Sequence, residues 1–154
     1  MATLVIQAIE VFMPFISYAR NYEDVMLWRA LRDVEKGFYV DVGAGEHEVD
    51  SVTRAFYERG WSGINIEPLD RYFDKLREAR PRDTNLKVAA GKGPGVRKLH
   101  SSLVTALSVS DPGLDEKHEE AGFVGEDLVV PVLTLTKILE DCETPTPELP
   151  QIEA

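Results

Sequence analysis

The chain carries a single cysteine, Cys142, which excludes an intrachain disulfide framework and a cysteine-built zinc cluster. Its three histidines, His47, His100 and His118, stand far apart with no i, i+4 pair, so no metal site is expected. No apolar run approaches the roughly 20 residues of a membrane-spanning helix. The opening Met1-Ala2-Thr3-Leu4 lacks the basic region and small-residue cleavage pattern of a signal peptide. Basic residues are scarce: 17 Lys and Arg stand against 27 Asp and Glu, a formal charge of −10. That field repels a phosphate backbone and argues against nucleic acid as a partner. What remains is ordinary globular material, 154 residues of which 44% are hydrophobic and 29% charged, enough for one domain with its own core. The bounds predict an acidic, soluble, cytoplasmic domain with neither membrane nor nucleic acid as partner.

Hydrophobic periodicity and turn residues divide the chain. Asn21 is placed to cap a helix running to about Val34, with Val25, Trp28, Leu31 and Val34 at three-residue spacing and Gly37 as its stop. Phe38–Val42 reads as a buried strand feeding the turn Gly43-Ala44-Gly45. A helix over Val52–Arg59 follows, capped by Asp50 or Ser51 and stopped by Gly60. Trp61–Ile66 is a second strand ending in Glu67-Pro68, and Asp70 caps a third helix with Tyr72, Phe73, Leu76 and Ala79 inward. Asn85–Ala90 is a third strand. Strand and helix in strict alternation with short connections predict a parallel α/β sheet. Beyond Gly91 the pattern loosens. Gly95–Ser102 can pair with Leu103–Val109 as a hairpin, Asp111–Gly122 reads as a loop or short helix, and Pro131 makes Leu128–Leu133 an edge strand. Thr134 then caps a helix presenting Leu135, Ile138, Leu139 and Cys142 on one face.

The strongest local signal is Asp41-Val42-Gly43-Ala44-Gly45 between a strand and a helix. In open α/β sheets ligands bind beyond the carboxyl ends of the strands, and glycine lets them approach the backbone closely. Dinucleotides and S-adenosylmethionine both use such turns. A dinucleotide fingerprint wants a third glycine where this chain has Glu48. Asp41, Glu46, Glu48 and Asp50 also set four carboxylates around the turn, a field that suits a sulfonium and ammonium cation better than a pyrophosphate. Glu67 ends the second strand 22 residues after Gly45, where a carboxylate can accept hydrogen bonds from ribose hydroxyls. Ala89 and Ala90 at the third strand leave room for a ring.

Ser17–Trp28, Gly37–Ala44, Asp50–Trp61, Gly63–Pro68 and Val130–Leu135, taken in this order, resemble FkbM-type methyltransferases from about Met13 to Cys142. The resemblance implies a Rossmann-like fold, S-adenosylmethionine as cofactor, and O-methylation of a sugar or natural-product hydroxyl. It places Asp41, Gly43 and Glu67 at the cofactor, with Asn21, Glu23 and Asp24 packing over the mouth; the glycine turn and the third strand add Ala44, Gly45 and Ala89 to the expected cofactor site. Gly45-Glu46-His47 departs from the family pattern after Gly-Ala. The larger departure is that such chains continue into a fourth core strand, where this one reads Pro145, Pro147 and Pro150. The expectation is therefore a sheet truncated before its fourth strand. Residues 1–12 are an extension able to cover apolar surface, 13–142 the partial cofactor domain, and 143–154 a proline-rich acidic tail. Phe38–Val42 would keep an open edge suited to a homo-oligomer or a partner chain. Methyl transfer needs in-line approach and sometimes a general base, for which Asp24, His47 and Glu23 are the candidates. The alternatives are a catalytically incomplete remnant, serving as a cofactor-binding or protein-interaction module, and a nucleotide-binding fragment of another kind.

Overall fold

The computed structural model describes residues 14–102, 108–109 and 125–142. The expected N-terminal extension, the Asp111–Gly122 loop and the acidic tail lie outside them. The described elements are α1 (Glu23–Leu31), β1 (Phe38–Val42), α2 (Arg54–Glu58), β2 (Ser62–Ile66), α3 (Asp70–Ala79), β3 (Thr84–Leu86), β4 (Ala89–Ala90), β5 (Gly95–Ser102), β6 (Ser108–Val109), β7 (Gly125–Leu133) and α4 (Leu135–Asp141). They build two sheets, a parallel one ordered β1-β2-β3 and a mixed one ordered β4-β7-β5-β6.

β2 is the middle strand of the parallel sheet, and Gly63, Ile64, Asn65 and Ile66 are all buried, as a strand covered on both faces requires. Ile64 and Ile66 meet Ile138 of α4 in the apolar core, with Phe38, Leu86, Ala90 and Leu133 packed around them. α4 thus joins the two sheets. Its start follows the sequence expectation: the Thr134 hydroxyl accepts from the Lys137 N–H at 3.1 Å. Thr134→Ala should cost about 1 kcal/mol in a urea melt, and an unchanged midpoint would show that the cap contributes nothing. A second cluster, Phe15, Trp28, Phe56 and Trp61, has ring centroids 5.0–6.5 Å apart. It lies where α1 meets α2.

Several boundaries differ from the sequence reading. α1 ends at Leu31, where the chain turns and the Val34 N–H bonds to the Leu31 carbonyl at 2.9 Å. Gly37 is needed for another reason, since a Cβ there would lie 2.3 Å from the Trp61 ring. Tyr22, in a left-handed conformation, occupies the cap position of α1, and Asn21 instead donates to the Glu23 carboxylate through both its backbone and its side-chain nitrogen. α2 is shorter than Val52–Arg59 and Thr53 precedes it: Ser51 Oγ accepts from the buried Arg80 guanidinium and the Thr53 hydroxyl donates to Asp41, so neither caps the helix. Leu69, not Asp70, is the cap of α3, and Ala79 is exposed while Arg80 is buried.

The third strand splits. Thr84–Leu86 pairs with β2, whereas Ala89 and Ala90 pair with Val132 and Leu133 of β7. β5 and β6 form the expected antiparallel pair, with His100 opposite Val109. Pro131 does not make β7 a plain edge strand: β5 flanks it along its length, and β4 flanks it from Val132 onward. The missing N–H thus sits just before the strand acquires its second neighbour. β1 pairs with β2 alone among the described residues, and Val40 and Val42 on it are exposed.

Candidate functional site

The carboxyl ends of β1 and β2 are tied together by the glycine turn. Gly43 and Ala44 donate their N–H groups to the Ile66 carbonyl at 2.8 and 3.2 Å. Gly43 and Gly45 have φ of +75° and +60°, a region in which an L side chain is strained, and nothing lies within 4 Å of where a Gly43 Cβ would stand. The Gly45 N–H donates to Glu67 Oε2 at 2.9 Å, and the Leu69 N–H donates to Oε1 at 2.8 Å. One carboxylate therefore fixes both the turn and the start of α3. Glu67 is only 4% exposed, and burial raises its pKa above the ordinary carboxylate range against the pull of the Leu69 and Gly45 bonds and of Arg71.

A cleft of about 520 Å³ opens beside this junction, in the range of small-molecule sites. Its lining comes from Val42 and Gly43 at the end of β1, Ile66 and Pro68 at the end of β2, Val88 to Lys92 on and around β4, Arg97 and Leu99 of β5, and Val132 of β7. Of the residues singled out by sequence, Gly43 and Ala89 line it directly. Ala44, Gly45 and Glu67 form the turn and its anchor.

Asp41 stands behind the turn, where its Oδ2 accepts from the Thr53 hydroxyl at 2.6 Å. Burial raises its pKa, and Asp83 adds to that, while the Thr53 bond and Arg80 oppose it. Asn21 and Asp24 lie away from the cleft. Asp24 is fully buried and accepts from Ser17 Oγ and the Tyr18 N–H at 2.7 Å each, clamping the segment before α1. Of the candidate bases, Asp24 is thus spent, exposed-side Glu23 is bonded to Asn21, and His47 lines a separate cavity of about 240 Å³ with Arg54, Tyr57 and Arg80.

Two arrangements were not visible in the sequence. Arg80, 2% exposed, donates to Thr53 Oγ1 and Ser51 Oγ at 2.6 Å each and to the His47 carbonyl at 3.1 Å. It ties the whole loop after the glycine turn to the end of α3. Beside it, Asp83 accepts from the Tyr39 hydroxyl, the Gly63 N–H and Asn65 Nδ2. The sequence signal was the run Arg80-Pro81-Arg82-Asp83 closing a helix, which composition alone assigns to the surface. The acidic field around the turn is also quenched. Glu46 pairs with Lys75 at 2.8 Å, Glu48 with Arg54 at 2.8 Å, and Asp50 with Arg20 at 3.1 Å.

Dinucleotide binding is disfavoured on better grounds, because α2 begins at Arg54, nine residues after Gly45, and presents no helix N-terminus at the turn. Among the described residues no helix is long and apolar enough to cross a membrane, and no group of His, Cys, Asp or Glu is placed to hold a metal.

A mixed α/β domain with a small parallel sheet and a cleft at its carboxyl edge is a methyltransferase-like architecture. The methyltransferase FkbM domain model matches residues 41–149, and the chain belongs to that family. The match begins at Asp41, so the similarity over Ser17–Trp28 lies ahead of it. No curated protein and no solved structure gives a significant match.

Proposed function

We propose that this chain binds S-adenosylmethionine in the cleft beside Gly43 and takes part in O-methylation of a small hydroxylated acceptor. The observation that carries the reading is the Glu67 carboxylate, buried at the β2 tip and bonded to the turn that lines the cleft. Each of its oxygens accepts one backbone N–H and keeps further acceptor capacity; the cleft is lined by its neighbours Ile66 and Pro68, between which a ribose hydroxyl would reach it. The open space at Gly43 suits close approach of a ligand to the backbone, and Ala89 and Ala90 leave room for a planar ring. When bound, the cofactor supplies an electrophilic methyl group. The chain's own residues hold and orient it and keep one wall of the cleft apolar. The order β1-β2-β3 corresponds, on this reading, to one half of a Rossmann-like sheet, and the edge of β1 that has no partner among the described residues is where a further strand would add.

The test is the pH dependence of S-adenosylhomocysteine binding. Glu67 accepts ribose hydrogen bonds at full strength only when ionised, and its raised pKa means that protonation sets in at a higher pH than for an ordinary glutamate. Affinity should therefore fall as pH falls, with the acid limb above the ordinary carboxylate range. Glu67→Gln should bind roughly 10- to 100-fold more weakly at neutral pH and lose that limb. Identical profiles for the two proteins, each checked for an intact melt, would overturn the reading.

A second reading, a cofactor-binding or interaction module without turnover, draws on the placement of Asp24, Glu23 and His47 away from the cleft. Methyl transfer to any hydroxyl acceptor by the isolated chain would exclude it.

A further inference from the structure

The lining of the cleft carries a charge, at Arg97 of β5 and at Lys92, that neither the fold nor the cofactor reading uses. β5 and β7 alternate cleanly: Leu99, Val130 and Val132 are buried on the inner side, while Val96 and Val129 are exposed on the outer. Arg97 shares the parity of Leu99 and stands opposite Val130, so it occupies a position on the inner, otherwise apolar face. There it lines the cleft together with Lys92.

Neither cation makes a hydrogen bond or ion pair with another described residue. That sets them apart from Arg20, Arg54, Lys75 and Lys137, each held by a carboxylate. Supply makes the placement more telling. Residues 92–154 contain five basic side chains against twelve acidic ones, and two of those five face this cleft. Gly95, opposite Val132 on the same face, has nothing within 4 Å of a Cβ position, which leaves room beside Arg97.

Resting on the cofactor reading above, we infer that Arg97 and Lys92 form an anion subsite and that the methyl acceptor is a hydroxylated molecule bearing a carboxylate or phosphate. A guanidinium reads either group through paired N–H donors, and an ammonium adds an unpaired charge from the side. Both side chains are exposed, so an acidic acceptor meets them from the open side of the cleft, while Leu99, Val130 and Val132 are buried beneath them. Arg97 and Lys92 are specificity residues on this account. They set which acceptor enters, and Gly43 and Pro68, at the β1 and β2 ends of the same lining, would hold the cofactor.

The test uses the whole chain saturated with S-adenosylhomocysteine, titrated with glucuronate, glucose 6-phosphate and glucose and followed by ligand-observed NMR. Expected is saturable binding of at least one of the two acidic sugars and none of glucose. Arg97→Gln and Lys92→Gln should each weaken that binding about tenfold without changing S-adenosylhomocysteine affinity. Equal binding of glucose and the acids, or no binding of either acid, would overturn the inference. So would a loss of S-adenosylhomocysteine affinity in Arg97→Gln that is absent with methylthioadenosine, because the cations would then hold the cofactor's own carboxylate. If the acidic sugars bind and respond to both variants while S-adenosylhomocysteine does not bind at all, the cofactor reading fails and the anion subsite stands.

Discussion

Arg80→Leu should remove about 3–5 kcal/mol of folding stability, one of the largest losses available to a single substitution in this domain. The guanidinium is buried and donates to Thr53 Oγ1, Ser51 Oγ and the His47 carbonyl, with Asn65 Oδ1 at 3.5 Å. Leucine fills part of the volume but leaves those acceptors unpaired and takes the cation away from Asp41 and Asp83. An unsatisfied buried acceptor costs about 1–3 kcal/mol, and a buried charge stripped of its partner costs more.

The loss should also depend on pH. Arg80 now holds the Asp41 pKa down against burial, so without it that pKa rises further. A carboxylate whose folded pKa exceeds its unfolded value destabilises the folded state at high pH, and stability falls as pH rises through the interval between the two. The variant's deficit should thus be deepest near neutrality and shrink in mild acid. Urea melts at several pH values measure this. A deficit below about 1 kcal/mol at neutral pH would show that the network is not the hinge between the glycine turn and α3. Arg77→Leu, on an exposed face of α3, serves as the control and should fall within about 0.5 kcal/mol of the parent.

Gly63→Ala is the second large effect, expected at about 3 kcal/mol. Tyr39 and Gly63 are direct partners in the β1–β2 register, and a Cβ on Gly63 would lie 2.3 Å from the Tyr39 carbonyl oxygen and 2.2 Å from its ring. A ring can swing aside at modest cost; a backbone carbonyl inside a parallel ladder cannot. Relief would require β1 to move away from β2, and with it the turn whose Gly43 and Ala44 amides hang on Ile66. Gly93→Ala, with nothing within 4 Å and no left-handed φ, should be close to neutral in the same melt. Similar midpoints for the two variants would contradict the close approach of the strands.

The elements closest to the glycine turn were the most legible in the sequence. Phe38–Val42 is a short apolar run bounded by two glycines, and its observed limits are the expected ones. Thr134 was readable as a cap because Ile138, Leu139 and Cys142 behind it form an apolar face, although Leu135, expected on that face, is exposed. Ser51 has similar chemistry but does not cap α2, since the buried Arg80 guanidinium takes its hydroxyl oxygen, and the Thr53 hydroxyl is held likewise between Arg80 and Asp41. That competition is tertiary and leaves no local trace.

Arg80 shows the same limit from the other side. Helical spacing placed Ala79 inward, yet the chain leaves the helix after Ala79 and turns the longer, charged side chain into the interior. The splitting of Asn85–Ala90 between two sheets was equally hidden, because each half is a plausible strand by composition and only β7 decides where the second half pairs.

At the site, the residues that need special backbone were readable and the electrostatics were not. Glycines at positive φ announce themselves, and Glu67 stands between the end of a strand at Ile66 and Pro68. The four carboxylates near the turn looked like a field, but three are neutralised by Lys75, Arg54 and Arg20 from elsewhere in the chain, and Asp41 is bonded to Thr53. Arg97 escaped notice in the sequence because Val96, Arg97 and Lys98 stand together, and only the register with β7 tells which of them faces inward.

Cofactor binding in the cleft beside Gly43 can be read from an amide chemical-shift map of the chain titrated with S-adenosylhomocysteine. Saturable shifts are expected at Gly43, Gly45, Glu67, Ala89, Ala90 and Gly91, with Asp24 and the α1 amides unmoved. Shifts gathered instead around His47, Arg54 and Tyr57, or none at millimolar ligand in a folded chain, would contradict it.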